Sequence, residues 1–204
     1  MIYHTDMLQK MFLDNTELHL TEKHLPCLIS YEEKTGGSQF SVTLIADLFM
    51  RGSKVLFLTA YPMATENFLK QASGTTHTIQ RIEKEEDITS PSTADMILIK
   101  SGDEKLFLKV FSKLPDINQR IIFVKNMEVF SSETIDKVLP LKKLIVSGHL
   151  DECELKEKIA SKQYASTIFF SQPQTGKFHV PTLEKYTGYL KAQDIEGVVS
   201  LDMK

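Results

Sequence analysis

The residues of this chain with the greatest chemical potential lie between positions 30 and 41. An apolar run closing at Ser30 is followed by Tyr31-Glu32-Glu33-Lys34-Thr35-Gly36-Gly37-Ser38-Gln39-Phe40-Ser41, where a helical pattern begins. Strand, glycine-containing loop and helix, in that order, make a cradle for phosphate. Small residues let backbone N–H groups approach an anion, and the helix N-terminus adds a partial positive charge. Nucleotide chemistry needs two more groups, a lysine on the terminal phosphates and a hydroxyl on a magnesium ion. Lys34, Gly36, Gly37, Ser38 and Ser41 are the candidates for nucleotide or anion binding. The competing reading is a glycine turn into a helix capped by Ser38 or Ser41, which requires no ligand.

The elements that must hold this loop are short apolar runs alternating with amphipathic ones. Residues 26–30, 55–59, 96–99, 121–124, 144–146 and 167–170 read as buried strands, and 76–82 as a short one. Helical spacing marks 41–51, where Val42, Leu44, Ile45, Leu48 and Phe49 recur and Gly52 ends the pattern, and also 64–72 and 104–114. Further helices are expected near 133–139 and 153–161. Such alternation indicates an α/β fold, a three-layer sandwich with a mostly parallel sheet covered on both faces. Residues 1–25 read as a helical N-terminal lead-in, 26–175 as the α/β core, and 176–204 as a polar C-terminal extension of the same domain.

Across 26–172 this order of elements resembles the P-loop NTPases, in particular the RecA-like and KaiC-like branch, with degenerate Walker A and Walker B motifs. The resemblance implies a RecA-like core, ATP and magnesium as ligands, and self-association in a ring or filament. Placing Ser41 on the magnesium hydroxyl puts Phe40 on the phosphate lysine, Gln39 on the last glycine and Lys34 on the first. The family also expects an acidic residue at the end of a core strand, but Lys100 follows the run at 96–99 and Lys125 the run at 121–124. Asp103 and Glu128, three residues beyond those lysines, are the metal candidates; each reaches a metal only if its loop curls back, and is otherwise a solvated loop charge. Ala60 and Tyr61 stand where RecA-like domains place a water-activating acid, and Glu66 lies farther on in the helix. Ser147 and His149, after the run at 144–146, are candidates for the polar sensor of the terminal phosphate. The sequence leaves RecA-like and AAA-like strand orders both open.

The rest of the composition narrows the function classes. A chain of 204 residues can bury its own core. A formal charge of -3 advertises no nucleic acid. Two cysteines make no disulfide framework, and Cys27 reads as a core side chain. None of the six histidines has metal-ligand spacing with a cysteine or a second histidine, so surface or loop positions are expected. No signal peptide or membrane span is evident, which gives the expectation of a cytoplasmic protein.

Three functions follow. The leading one is a catalytically degenerate P-loop domain, a pseudo-ATPase, acting as a binding or assembly subunit with a protein partner or with itself; no cofactor is required. The second is an atypical magnesium-dependent ATPase in which Lys34 replaces the missing lysine. The third is a DNA-processing accessory protein using Lys177, Phe178, Tyr186, Tyr189 and Lys191 on single strands.

Overall fold

The computed structural model describes residues 10–71, 77–88, 94–171 and 187–201. The strands are β1 (Met11–Leu13), β2 (Thr16–Glu17), β3 (Cys27–Tyr31), β4 (Val55–Thr59), β5 (Ile79–Ile82), β6 (Met96–Ile99), β7 (Ile121–Lys125), β8 (Leu144–Gly148), β9 (Ser166–Phe170), β10 (Thr187–Ala192) and β11 (Glu196–Leu201). The helices are α1 (Gly37–Met50), α2 (Pro62–Gln71), α3 (Glu104–Lys113), α4 (Ser132–Val138) and α5 (Lys156–Ser161). The strands form one mixed sheet in the order β2-β1-β11-β10-β9-β3-β8-β7-β4-β6-β5. From β9 to β5 every neighbouring pair is parallel. The remaining strands join antiparallel on the β9 side.

The parallel strands are buried on both faces because helices cover both, which is why their sequences are nearly unbroken apolar runs. Alternation divides them. Cys27, Ile29, Val55, Phe57, Ile121, Phe123 and Ile145 pack with α1 and with Ala64 and Phe68 of α2. Leu28, Leu56, Leu58, Ile122, Val124, Leu144 and Val146 pack with α3, α4 and α5. This is the α/β sandwich expected from the sequence.

The start of the chain departs from expectation. Over the described residues 10–25 the helical lead-in is replaced by the hairpin β1–β2 and a single 3₁₀ turn, Glu22–His24. Asp14 and Asn15, between paired Leu13 and Thr16, both adopt positive φ (46° and 72°). Two such residues make the tight turn whose twist matches antiparallel strands. The hairpin is anchored by pairing of β1 with β11, at the far end of the chain. Hairpin β10–β11 carries the described part of the C-terminal region into the same sheet. Lys177, Phe178 and Tyr186 lie outside the described residues, whereas Tyr189 hydrogen-bonds Glu196 across the hairpin (2.7 Å). No helix among the described residues is long and apolar enough to cross a membrane.

Candidate functional site

At the carboxyl end of the parallel block, four adjacent strands close with polar residues on the α1 side. Tyr31 continues the Cys27, Ile29 face of β3; Ser147 follows Ile145 on β8; Lys125 follows Ile121 and Phe123 on β7; Thr59 follows Val55 and Phe57 on β4. The register places Lys125 opposite Ser147 on one side and Thr59 on the other. The step from apolar to polar at the last inward position of each strand is what builds a polar floor there.

The loop from β3 rises over this floor. Lys34 and Gly36 both have positive φ (61° and 88°), and Gly36 is the residue from which α1 starts. Alternating handedness of this kind turns successive N–H groups toward a concavity. Helix α1 therefore begins at Gly37, four residues earlier than apolar periodicity indicates, and neither Ser38 nor Ser41 caps it by side chain. The Thr35 hydroxyl donates to the carbonyl of Glu32 (2.7 Å) and ties the loop to itself. A cleft of about 360 Å³ opens between the loop, Ser38, Gln39 and His149.

This geometry corrects the register inferred from the sequence. Phe40 does not stand at the mouth in a lysine position: it is fully buried, with its ring packed on Phe170 (centroids 5.2 Å apart). Ser41 is likewise buried, and its hydroxyl donates to the carbonyl of Ser38 (2.8 Å) within the helix. The residues in the first turn are Gly37 and Ser38. Gly37 admits no side chain in this arrangement. A Cβ there would fall on that of Tyr31 and lie 2.8 Å from Tyr31 Cγ and 2.9 Å from Phe170 Cδ2.

Lys125 places an ammonium beneath the loop. Its Nζ donates to Ser38 Oγ (2.8 Å) and to Tyr31 Oη (3.1 Å), and the side chain is only 2% exposed. Among the described residues no carboxylate lies within 4 Å of it. Burial pulls its pKa down from the usual lysine range to about 8, against the opposing effect of the Glu128 charge. Tyr31 is buried beneath the loop, its ring edge-on to His149 (4.9 Å). Burial first, then the Glu128 charge, raises its phenol pKa, although Ser38 and Ser147 beside the hydroxyl act the other way.

The other candidates separate. Glu128 does curl back: Asn126 at φ 65° and a 3₁₀ turn (Met127–Val129) return its carboxylate to the end of β8, where it accepts from the backbone N–H of His149 (3.0 Å). Asp103 does not. It caps α3, accepting from the N–H of Leu106 (2.8 Å), which is the ordinary work of an aspartate at that position. Lys100 at the end of β6 is exposed, so of the two strand-end lysines only Lys125 enters the site. Lys34 is exposed on the rim. Ser147 is fully buried at the floor, and His149 forms one wall of the cleft. Glu66 is exposed and Tyr61 protrudes with 55% of its surface accessible. Elsewhere, burial pushes the Cys27 thiol up to about 12, as suits a core residue. His24 is a further correction: it is buried, its Nδ1 accepting from the N–H of Thr21 (2.9 Å).

Sequence reasoning missed Tyr31 altogether. The signal was present, because an aromatic residue immediately before a glycine-bearing loop is too large for a phosphate cradle and must go somewhere. Among the described residues no group of three His, Cys, Asp or Glu side chains is placed to hold a metal ion. The magnesium that the sequence resemblance implies does not fit here: the strand end where that resemblance expects a carboxylate presents a buried ammonium.

No family model matches the sequence. No curated protein matches it either. Solved structures that share its fold include the following two. One is the genome packaging NTPase B204 from Sulfolobus turreted icosahedral virus 2 in complex with AMPPCP, with TM-score 0.56 and 13% identity over 88% of this chain and 98% of that one. The other is the cytoplasmic domain of the Thermomonospora curvata Type VII secretion ATPase EccC, with TM-score 0.57 and 9% identity. That match covers 97% of this chain but 26% of the EccC chain, so the present chain spans about a quarter of its length. The α/β fold with its mostly parallel mixed sheet is thus that of P-loop NTPase structures.

Proposed function

We propose that this chain is a P-loop domain that has lost metal-dependent hydrolysis and works as a binding or assembly subunit. Counted from the observed start of α1, the spacing of a phosphate loop puts Tyr31 at the first glycine, Gly36 at the last, Gly37 at the lysine and Ser38 at the hydroxyl. The position of the phosphate lysine is then Gly37, and the strand-end position that would hold magnesium through a carboxylate is, on β7, Lys125. Phosphoryl transfer is catalysed almost entirely by positioning and electrostatics, with magnesium held between that hydroxyl and a strand-end acid. The observation that carries the reading is the bond from Lys125 to Ser38 (2.8 Å), which joins those same two positions without a metal.

The names of the two similar structures, a packaging NTPase and a secretion ATPase, supply the context. A domain of this fold without its own chemistry still offers a partner the surfaces of an active one, whether in a ring, in a filament or beside an active relative. The test has two parts. Purified protein should show no magnesium-dependent ATP or GTP hydrolysis above background, and light scattering or affinity capture should show a defined oligomer or a stoichiometric partner. Turnover that Lys34→Ala abolishes would establish the ATPase reading instead. A strictly monomeric protein that captures nothing would remove the assembly role.

A further inference from the structure

Lys125 presents an electrostatic problem that the hydrolysis argument does not use. A lysine 2% exposed, with two hydroxyls as hydrogen-bond partners and no carboxylate within 4 Å among the described residues, is a buried charge without a direct ion pair, opposed only by the more distant charge of Glu128. Such an arrangement is costly unless an anion completes it. The acid whose charge acts on it, Glu128, is engaged with the His149 N–H and with Asn126 (3.5 Å). An ammonium only donates, so Ser38 Oγ and Tyr31 Oη both accept from Lys125 and must direct their own protons elsewhere. Ser38 is exposed on the cleft. Its hydroxyl, polarised by the ammonium behind it and beside the Tyr31 phenol, lines the same concavity as the loop N–H groups and the N-terminus of the 14-residue helix α1.

We propose that this cleft binds a phosphate group without any divalent cation, the Lys125 ammonium standing in the place of magnesium and acting on the ligand through the Ser38 hydroxyl. The inference rests on the P-loop reading above but adds a ligand class and a metal requirement to it. A magnesium ion brought in with a nucleotide would be repelled by that ammonium and would find no carboxylate at the end of β7. Two loop carboxylates, Glu32 and Glu33, line the same cleft and oppose an anion, with Lys34 on the rim countering them. Binding is therefore expected to be moderate and sensitive to salt.

The test is calorimetry on the full chain with ADP, a non-hydrolysable ATP analogue and inorganic phosphate, each in EDTA and in excess magnesium. At least one probe should bind in EDTA, and magnesium should leave its affinity unchanged or weaken it. Ser38→Ala and Lys125→Met, each checked by its melting curve, should each weaken binding by about tenfold or more. Equal affinity for phosphate and ADP would identify a free phosphate site, and a preference for ADP a nucleotide site. Binding that requires magnesium, binding indifferent to both variants, or no binding of any probe up to about 10 mM would each overturn the proposal. Hydrolysis is followed in the same magnesium samples: turnover overturns the loss of catalysis, whereas magnesium-dependent binding without turnover overturns only the metal-free site.

Discussion

The Nζ of Lys125 lies 2.8 Å from the Oγ of Ser38, joining the end of β7 to the first turn of α1. The same nitrogen holds the phenol of Tyr31 at the end of β3. One side chain thus ties together the strand before the loop, the helix after it and the strand two places away in the sheet.

Exchanging Lys125 for an apolar residue of similar length tests the cost of this tie. The folded-state pKa is depressed, to about 8, relative to an ordinary lysine. Between about pH 8 and 10.5 the unfolded chain therefore binds more protons, and this group contributes stability that rises with pH. Lys125→Met should be no less stable than wild type at pH 7, because a buried ammonium is replaced by a side chain that needs no solvation. Its advantage should shrink by on the order of 2 kcal/mol between pH 8 and 10. The difference between the two proteins in urea unfolding at each pH is the quantity to measure, since it cancels the opposite drift from the raised Cys27 thiol. A difference flat with pH would show that Lys125 is not titrating in the fold.

Phe40 and the loop lysine can be told apart by substitution. Phe40→Ala should cost about 3–5 kcal/mol, as for a large ring removed from a closed core. Phe40→Lys should fail to fold rather than gain nucleotide binding, because the ring position is fully buried against Phe170. Denaturant melts with circular dichroism settle both; a well-folded Phe40→Lys protein that binds ATP would restore the register first inferred from the sequence.

Gly37 and Tyr31 should be energetically coupled. Gly37→Ala alone drives a methyl into the Tyr31 side chain and is expected to cost about 1–3 kcal/mol. In a Tyr31→Gly background most of that penalty should vanish, giving a coupling energy well above the scatter of independent sites. Additive penalties in a double-mutant cycle would mean the two do not compete for space.

On the P-loop reading, three substitutions together should create a magnesium site. Tyr31→Gly, Gly37→Lys and Lys125→Asp install a small first residue, a phosphate lysine and a metal carboxylate at the observed spacing. The triple variant is expected to bind nucleotide at least about tenfold more tightly with magnesium than in EDTA. Equal binding in the two conditions would show that the backbone of the loop, and not these three side chains, sets the metal requirement.

Arg120 governs stability at the opposite end of the sheet. Its guanidinium is fully buried and grips Asp116 through Nε (3.0 Å) and Nη2 (3.0 Å). Arg120→Ala leaves that largely buried carboxylate with only the longer contact to Lys54 (3.5 Å) and should cost about 3 kcal/mol in chemical denaturation. Nucleotide or phosphate binding, at the other end of the strands, should change little in the protein that remains folded.

The sequence by itself determined the architecture. Unbroken apolar runs such as 55–59 and 121–124, separated by helical spacing, can be buried only in a parallel sheet with helices on both faces, and that is local information. It also gave the position of the loop, the buried character of Cys27, and the absence of a carboxylate directly after Val124. Tertiary structure alone decided the rest. Whether α1 began at Gly37 or Ser41 depended on backbone dihedrals at Lys34 and Gly36, which apolar periodicity does not register. The hairpin at Asp14 and Asn15 needed β11, nearly the whole chain away, to hold it. The site itself is a product of strand order: β3, β8 and β7 are distant in sequence and adjacent in the sheet, and only that adjacency brings Tyr31, Ser147 and Lys125 beneath Ser38. A lysine at a strand end is a surface charge in a sequence; next to a glycine helix start and a tyrosine it becomes a buried cation, because the sheet gives it nowhere else to go.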